Sequence, residues 1–420
     1  MTVTQIASDR LIDGAIRNRI SQLEKSECTI RKDDPFFVAD LGQVHRQHCR
    51  WTRCIPNIQP FYAVKCNSDQ LLLSRLAELG AGFDCASISE MQAVLQLGVD
   101  PSRIIFANPC KSASSVSYAR NMGITRTTFD NMDELSTIKT YHPDAELFLR
   151  IFAEDPTALI SLGDKFGAEP DSTDLLLRRA KELSLNVIGI SFHVENGGAD
   201  QPGSGASSVQ CFLTAIKHAK LAISQAEHLG FRIQALDIGG GFQDCNFETI
   251  ASAVQSAIGQ EIPKHIKIFA EPGRFYARPF YTMACKVISR RKQVSKSKSG
   301  YPDMLYQNDG VYGSFMNVLL EKEIVAPTLM QNTNSAVVDQ RDFGEYHYSI
   351  WGPTCDSIDC VAKDAALDSE VLVGDWLKYK NMGAYTVSTS TQFNGFGNRY
   401  HVSYLDTERL ATPLETFCEK

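Results

Sequence analysis

The chain has 420 residues and a formal net charge of −7, with 43% hydrophobic and 22% charged residues. These values are typical of a soluble globular protein with room for two or three domains, and they argue against wholesale disorder. The excess of acidic residues disfavours nucleic acid as the main partner. A local basic pocket is still compatible with the negative net charge.

Targeting and metal-binding signals are not found in the sequence. The first twenty residues carry charges throughout and contain no apolar segment of the kind that a signal peptide needs. No run of about 18 apolar residues predicts a membrane span. The twelve cysteines are scattered rather than placed at metal-ligand spacing. We therefore expect a cytoplasmic protein with reduced thiols, no membrane contact and no metal site.

Short apolar segments alternate with helix-like segments up to about residue 273. Eight of the apolar segments are rich in β-branched and aromatic residues, as buried parallel strands are. These strand-like segments are residues 61–64, 83–86, 104–107, 127–129, 147–151, 187–194, 235–238 and 266–270. Helix-like segments between them include residues 71–79, 89–97, 112–122, 173–183, 210–229 and 247–258. The alternation predicts an α/β protein with a closed (β/α)₈ barrel, and an open doubly wound sheet is the alternative.

Beyond this point polar and apolar residues alternate, which is typical of antiparallel strands with one solvated face. Strand-like segments here are residues 281–289, 304–307, 346–351, 371–379 and 400–404. Residues 35–39 form another such segment, and we expect it to return to this sheet. The sequence thus predicts an N-terminal segment (1–40), a barrel (41–277) and a C-terminal antiparallel β domain of sandwich or barrel-like form (278–420).

Two apolar strands end on a basic side chain. Lys65 directly follows residues 61–64, where it is either a snorkelling cap or a desolvated amine able to form a Schiff base with an aldehyde. His193 ends the strand-like segment 187–194, where it is either a core residue or a flat ring available for stacking. In a barrel of this kind the chemistry lies at such strand ends.

Two further strand ends carry groups suited to an anion and a cation. Gly239, Gly240 and Gly241 follow a strand and either form a tight turn or expose N–H groups to a phosphate. Glu271 and Arg274 end another strand and form either a salt bridge or separate cofactor contacts. Together the four ends supply what pyridoxal phosphate requires: an amine, a flat ring, a phosphate cradle and a carboxylate for the ring nitrogen.

The chain resembles the eukaryotic ornithine decarboxylases, within the alanine-racemase-like class of pyridoxal phosphate enzymes. The resemblance extends over residues 30–410 and rests on eleven separate motifs in one order. The motifs are PFYAVKCN (60–67), FDCAS (83–87), FANPCK (106–111), TFDN (128–131), KFGA (165–168), SFHV (191–194), LDIGGGF (236–242), EPGRF (271–275), NDGVYGSF (308–315), WGPTCD (351–356) and NMGAYT (381–386).

The resemblance implies a homodimer with shared active sites that decarboxylates L-ornithine to putrescine for polyamine biosynthesis. Lys65 would form the Schiff base, His193 would lie against the ring and Glu271 would pair with its nitrogen. Cys355 would act from the partner subunit and protonate the carbon that loses CO₂. The implied cofactor-binding residues are Lys65, Asp84, Arg150, His193, Ser204, Gly239, Gly240, Gly241, Glu271, Arg274 and Tyr385. The implied substrate-binding residues, in the β domain, are Asp356, Glu321 and Phe393.

The sequence departs from the family pattern at two places. Eight residues, 195–202, separate His193-Val194 from the expected glycine-serine-glycine, and they include two acids. Either this insertion bulges outward and Ser204 keeps its phosphate contact, or residues 196–198 replace it. At the second place Leu320 and Glu321 stand where the family has an aromatic residue and an aspartate. This change suits either a longer or shorter diamino acid or ornithine itself.

Two alternatives to ornithine decarboxylation stay open at this level. One is a decarboxylase of lysine or another basic amino acid. The other is a catalytically silent relative that binds regulators of the true enzyme. For either interpretation we expect an antizyme-like regulator as a partner. Silent relatives are expected to lose the Schiff-base lysine or the cofactor contacts. The chain retains Lys65, His193, Glu271, Arg274, Cys355 and Tyr385, which favours an enzyme.

Overall fold

The computed structural model describes residues 3–26, 32–153, 162–194, 204–292, 302–330, 343–396, 400–408 and 414–415. The chain forms two compact units, of which one comprises Arg46–Tyr276 and the other comprises Met1–His45 and Ala277–Lys420. No helix among the described residues is long and apolar enough to cross a membrane.

The helices and strands of the described residues follow one another in a regular order along the chain. They are α1 (Val3–Lys25), β1 (Phe36–Asp40), α2 (Leu41–Cys54), β2 (Ile58–Ala63), α3 (Gln70–Glu78), β3 (Gly82–Cys85), α4 (Ile88–Leu95), β4 (Ile104–Phe106), α5 (Ala113–Asn121), β5 (Arg126–Phe129), α6 (Met132–Tyr141), β6 (Glu146–Arg150), α7 (Pro170–Glu182), β7 (Asn186–Ser191), α8 (Ser204–His228), β8 (Ala235–Asp237), α9 (Phe247–Glu261), β9 (Lys267–Ala270), α10 (Arg274–Ala277), β10 (Tyr281–Arg291), β11 (Asp303–Gln307), α11 (Met316–Leu320), β12 (Thr328–Met330), β13 (Phe343–Trp351), β14 (Cys360–Ser369), β15 (Trp376–Tyr379), β16 (His401–Leu405) and β17 (Leu414–Glu415).

Strands β2 to β9 form a closed barrel, and each pairs in parallel with its neighbours, β2 with β9 included. The eight predicted strand segments correspond to these eight strands, so the closed barrel is confirmed and the open sheet is wrong. Phe61, Phe148 and Phe269 pack together inside the barrel with Ile105 and Ile188. Large apolar side chains therefore fill much of the barrel interior.

All six predicted barrel helices are present, and the sequence analysis did not identify α1, α2 or α6. Helix α6 begins after Asn131, whose side chain accepts a hydrogen bond of 2.9 Å from the N–H of Glu134. This is an N-cap interaction, which satisfies a backbone donor at the start of the helix. Only Leu135 and Ile138 among its apolar residues are buried, and this explains the weak periodicity of the segment.

A nine-stranded sheet forms among the described residues of the second unit. Most of its pairs are antiparallel, but β1 pairs in parallel with β16 and β11 in parallel with β13. Strand β1 also pairs with β10, so the N-terminal strand lies inside this sheet. Residues Ile16 and Ile20 of α1 pack against Phe36 and Trp376 in its core.

The predicted strand at residues 371–379 is longer than the observed β15, which begins at Trp376. Gly374 takes a φ of +97°, and the Asp375 side chain accepts a 2.7 Å hydrogen bond from the N–H of Leu372. Residues 371–375 therefore form a turn rather than extended backbone.

Candidate active site

Lys65 lies in a short 3₁₀ turn, Val64–Cys66, at the carboxyl end of β2. Its Nζ atom is 2.9 Å from Oδ2 of Asp84 on β3, and the Asp84 side chain is only 1% exposed. Burial, followed by the negative charge of Glu271, raises the pKa of Asp84 to about 7 although the Lys65 ammonium opposes this shift. Lys65 is therefore paired with a buried acid, but 42% of its own side chain is exposed, so the amine is not desolvated as one sequence interpretation expected.

His193 and Glu271 lie at the carboxyl ends of β7 and β9, and their side chains meet. The His193 Nδ1 atom is 3.1 Å from Oε2 of Glu271 and 3.2 Å from the backbone nitrogen of Gly240. Burial lowers the pKa of His193 despite the neighbouring carboxylate, so the imidazole is neutral at neutral pH. Burial alone would raise the pKa of Glu271, but His193 and the charge of Lys65 outweigh it and lower the pKa to about 2.

The three glycines after β8 leave an open backbone surface beside His193. Gly239 and Gly241 take positive φ angles of +65° and +93°, which favour glycine. A Cβ atom on Gly240 would lie 2.6 Å from Nε2 of His193, and one on Gly241 would lie 2.6 Å from the carbonyl oxygen of Val194. Side chains are thus excluded on steric grounds, and the segment can present its N–H groups to an anion.

Two other predicted cofactor residues belong to the same unit. Arg150 ends β6 and is partly buried, with its guanidinium 5.1 Å from the centre of the Phe166 ring. Arg274 is the first residue of α10 and is also partly buried. The side chain of Ser204 and the insertion at residues 195–202 lie outside the described residues, so both interpretations of that loop stay predictions.

Asp237 is a buried acid of this cluster that the sequence analysis missed. It is 1% exposed at the end of β8, and its Oδ1 atom accepts a 2.9 Å hydrogen bond from the N–H of Gly239. The signal was present in the motif LDIGGGF, where an acid follows apolar strand residues and immediately precedes the glycine turn. An isolated acid gives no indication of its partners, which come from distant strands.

Tyr385 lies in the second unit, within the motif NMGAYT. It takes a φ of +52°, an unusual conformation for a residue with a bulky side chain, and its carbonyl oxygen accepts a 2.8 Å hydrogen bond from Thr389 Oγ1. Two residues earlier, a Cβ atom on Gly383 would lie 1.7 Å from the carbonyl oxygen of Ala277. The motif therefore combines a close backbone approach with local strain, which is common at functional sites.

A second cluster of predicted residues lies on the second unit. The rings of Tyr312 and Phe393 stack with their centres 4.4 Å apart, and the Tyr312 hydroxyl donates a 2.5 Å hydrogen bond to Oδ2 of Asp356. This bond, together with the N–H of Ile358, lowers the pKa of Asp356 and keeps it ionised. The neighbouring Cys355 is exposed, and Tyr312 is a second residue that the sequence analysis did not assign to the site.

Asp359 joins the two loops that carry this cluster. Its Oδ1 atom accepts a 2.8 Å hydrogen bond from the N–H of Val311, and its Oδ2 atom accepts bonds from the N–H and hydroxyl of Thr354. Cβ atoms on Gly310 and Gly352 would lie 2.0 and 2.3 Å from the Asp359 carboxylate. The motifs NDGVYGSF and WGPTCD are therefore adjacent in space because a buried acid holds both.

Glu321 directly follows α11, and Leu320 beside it is 52% exposed. Glu323, two residues on, is buried and forms an ion pair of 2.7 Å with Arg278. Its carboxylate therefore has a structural partner within this unit. Of the two acids in this segment, Glu321 stays the predicted substrate residue.

Among the described residues, no group of three or more His, Cys, Asp or Glu side chains is arranged to hold a metal ion.

Comparisons with known proteins agree with this arrangement. Residues 41–278 match the family model of the pyridoxal binding domain of pyridoxal-dependent decarboxylases. The chain is similar to ornithine decarboxylase from Neurospora crassa, with 42% identity over 98% of this chain and 88% of that protein. It is also 42% identical to antizyme inhibitor 2 from Xenopus laevis over 91% of this chain and 82% of that protein.

Among solved structures, the arginine decarboxylase of Paramecium bursaria Chlorella virus is similar, with a TM-score of 0.84 and 34% identity. The alignment covers 94% of this chain and all of that one.

The residues of the first unit also fit pyridoxal phosphate: Lys65 offers an amine, Glu271 an ionised carboxylate and the three glycines a cradle without side chains. Asp84 Oδ1 is in addition a buried acceptor with no hydrogen-bond partner among the described residues.

Proposed function

The chain belongs to the pyridoxal-dependent decarboxylases, and from this premise we propose that it converts L-ornithine to putrescine and CO₂. Its cofactor is pyridoxal 5′-phosphate, and the reaction supplies a polyamine. The observation that carries the proposal is the meeting of Lys65, Glu271 and the triple glycine at the carboxyl ends of barrel strands. Few other chemistries need an amine, an ionised acid and an anion cradle together.

The roles of the barrel residues toward the cofactor follow from their chemistry. When bound, pyridoxal phosphate provides an electron sink for the charge that CO₂ leaves behind. Lys65 would hold its aldehyde carbon and His193 would lie against its ring. Glu271, ionised at neutral pH, would keep the ring nitrogen protonated. The residues proposed to bind the phosphate are Gly239, Gly240, Gly241, Ser204, Arg274 and Tyr385.

Asp84 is suited to exchange a proton with the Lys65 amine. The Lys65 amine must lose a proton before it can act as a nucleophile. Oδ2 of Asp84 lies 2.9 Å from Nζ, and the Asp84 pKa of about 7 allows it to take up or return that proton near neutral pH. Arg150 adds a positive charge that acts on both His193 and Glu271.

The second cluster supplies the groups that a diamino acid requires. We propose that Asp356, ionised and held by Tyr312, binds the distal ammonium of ornithine together with Glu321 and beside the Phe393 ring. The exposed thiol of Cys355 would donate the proton that replaces CO₂. We further propose that Cys355 serves the site of the partner subunit in a homodimer. The similarity to antizyme inhibitor 2 supports an antizyme-like regulator as a partner. We also propose that the protein is located in the cytoplasm.

Substrate preference is tested by comparing CO₂ release from ornithine, lysine and arginine with the purified holoprotein. We expect ornithine to be preferred by at least about tenfold in kcat/KM, because one methylene changes transition-state binding by about 1–3 kcal/mol. Equal turnover of lysine would overturn the choice of ornithine. Leu320 and Glu321 are the residues that would then explain the difference.

Shared active sites are tested by mixing Lys65→Ala protein with Cys355→Ala protein. Random exchange of subunits gives one intact site in each mixed dimer, so about a quarter of the wild-type activity should return. No recovery despite demonstrated subunit exchange would contradict the shared site. Absence of a visible absorbance band from protein supplied with pyridoxal phosphate would instead favour the catalytically silent alternative, for which the similarity to antizyme inhibitor 2 is the specific support.

A further inference from the structure

Asp237 is a buried acid of the barrel whose hydrogen-bonding capacity is only half used. Its Oδ1 atom accepts a hydrogen bond from Gly239, but its Oδ2 atom is buried and contacts no donor among the described residues. Leaving a buried carboxylate oxygen without a donor is unfavourable. Either a proton or an external group must satisfy it.

Asp237 is the last residue of β8, and Glu271 directly follows the neighbouring strand β9, so the two acids lie at adjacent strand ends, and burial together with the Glu271 side chain raises the pKa of Asp237. The backbone fixes this arrangement, because the N–H of Glu271 donates a 2.7 Å hydrogen bond to the carbonyl oxygen of Gly239 and the N–H of Ile238 donates one of 3.0 Å to Phe269. Strands β8 and β9 thus hold the two acids side by side. Two neighbouring carboxyl groups in a buried site are not both ionised, because their like charges repel strongly there, so one of them holds a proton.

The surrounding charges decide which acid keeps the proton. Glu271 faces three basic groups at the ends of other strands, which are Lys65, Arg150 and His193. Asp237 faces two acids, Asp84 and Glu271. Burial, and then the charge of Glu271, raises the pKa of Asp237 well above its usual range. The proton therefore belongs on Asp237 and the negative charge on Glu271.

We infer that Asp237 is a positioning residue that donates a shared proton to Glu271 and so fixes the orientation of the Glu271 carboxylate. This inference rests on the proposed function, in which Glu271 faces the ring nitrogen of the cofactor. A carboxylate held on one side by Asp237 and on the other by His193 keeps one rotamer before the cofactor arrives. The arrangement lowers the cost of ordering this side chain on binding.

The shared proton can be observed directly in the protein without cofactor. Infrared spectra at pH 8 should contain the carbonyl stretch of a buried protonated carboxylic acid in the wild type, and Asp237→Asn should lack it. Asp84→Asn is the matched control, because a pKa of about 7 leaves Asp84 mostly ionised at this pH and its removal should not affect the band. Identical wild-type and Asp237→Asn spectra would overturn the inference.

The positioning effect is measured by titrating pyridoxal phosphate into the same proteins and following tryptophan fluorescence. Asp237→Asn keeps an acceptor for Gly239 and a donor for Glu271, so its Kd should stay within about threefold of the wild type. Asp237→Ala loses both and should bind about tenfold more weakly, which corresponds to about 1.4 kcal/mol. Equal Kd values for Asp237→Ala and the wild type, or an equal loss in both variants, would contradict positioning through a hydrogen bond.

Failure of the inference is distinguishable from failure of the proposed function. If the wild type shows no pyridoxal phosphate binding, the proposed function fails, whereas the infrared band still reports on the proton. If Asp237→Ala does not fold, the inference is tested with Asp237→Asn alone. Its infrared spectrum should lack the carbonyl band and its Kd should stay within about threefold of the wild type, and any other result would contradict the inference.

Discussion

The two residue clusters differ most in their contact with water. In the barrel unit, Asp84, Asp237 and Glu271 are all less than 10% exposed, and their pKa values are shifted in opposite directions. In the second unit, Cys355 is exposed, and hydrogen bonds from Tyr312 and Ile358 lower the pKa of Asp356. Proton positions are therefore set by burial in one cluster and by local hydrogen bonds in the other.

This difference matches what each cluster is proposed to do. Holding a proton on one atom and a charge on the next requires a low dielectric, in which neighbouring groups interact strongly. Capturing an ammonium group from water requires an acid that is already ionised and accessible. The buried cluster is thus suited to the cofactor and the exposed cluster to the substrate.

The largest expected effect is that of Lys65→Ala on the buried cluster. The variant loses the amine and leaves the buried Asp84 without its ion-pair partner. We expect kcat for ornithine decarboxylation to fall by at least about 10³-fold, as measured by CO₂ release. The visible absorbance of protein supplied with pyridoxal phosphate should also be lost.

Lys220→Ala is the matched control for this substitution. Lys220 is an exposed barrel lysine that pairs with Glu261, and its removal should leave both signals unchanged. If Lys65→Ala retained more than about a tenth of the wild-type activity, the amine would not be the nucleophile, and the comparison between the clusters would lose its basis.

Asp309 tests whether burial, rather than membership of one unit, causes the pKa shifts. It lies in the second unit, is 5% exposed, and accepts hydrogen bonds from the N–H groups of Gly310 and Ser314. Burial raises its pKa from 3.8 to about 6, against the effect of these bonds. Because the folded pKa is the higher one, protonation of Asp309 stabilises the fold below pH 4, and this contribution is lost as the pH rises through 6.

Asp309→Asn cannot ionise, so it should remove this pH dependence. The difference in the free energy of unfolding between the wild type and the variant should decrease by about 2–3 kcal/mol between pH 4 and pH 7, as measured by urea denaturation. Asp368→Asn, on the exposed face of β14, provides the comparison without burial. Parallel pH profiles for the wild type and Asp309→Asn would show that burial does not control this acid.

The barrel could be predicted from the sequence because its strands are buried on both faces. Such strands are continuous apolar segments, and eight of them recur with helices between. Strand β14 was not predicted, because Lys363 and Asp364 are exposed on a strand that is only partly buried. Helix α6 was not predicted either, because its start depends on the Asn131 cap more than on apolar periodicity. Elements stabilised by a few local contacts leave a weaker pattern than elements stabilised by the core.

The candidate site could be predicted as a set of residue types but not as a set of contacts. Lys65, Glu271 and the glycines were recognisable because each stands out at a strand end. Asp237 and Tyr312 were not identified because their importance comes from partners 34 and 44 positions away, Glu271 and Asp356. The opposite pKa shifts of Asp237 and Glu271 follow from this packing, which only the folded chain defines.

The smallest expected effect is that of Asp356→Asn on the exposed cluster. Removing an accessible charge weakens binding of the distal ammonium but leaves the barrel acids unaltered, so kcat/KM for ornithine should fall by about tenfold, mainly through KM. The Kd for pyridoxal phosphate should not change, and Asp364→Asn on the same unit should alter neither constant. If Asp356→Asn weakened cofactor binding as much as substrate binding, the proposed division between a buried cofactor cluster and an exposed substrate cluster would be wrong. Steady-state kinetics with ornithine and a fluorescence titration with the cofactor separate the two outcomes, because each reports on one cluster.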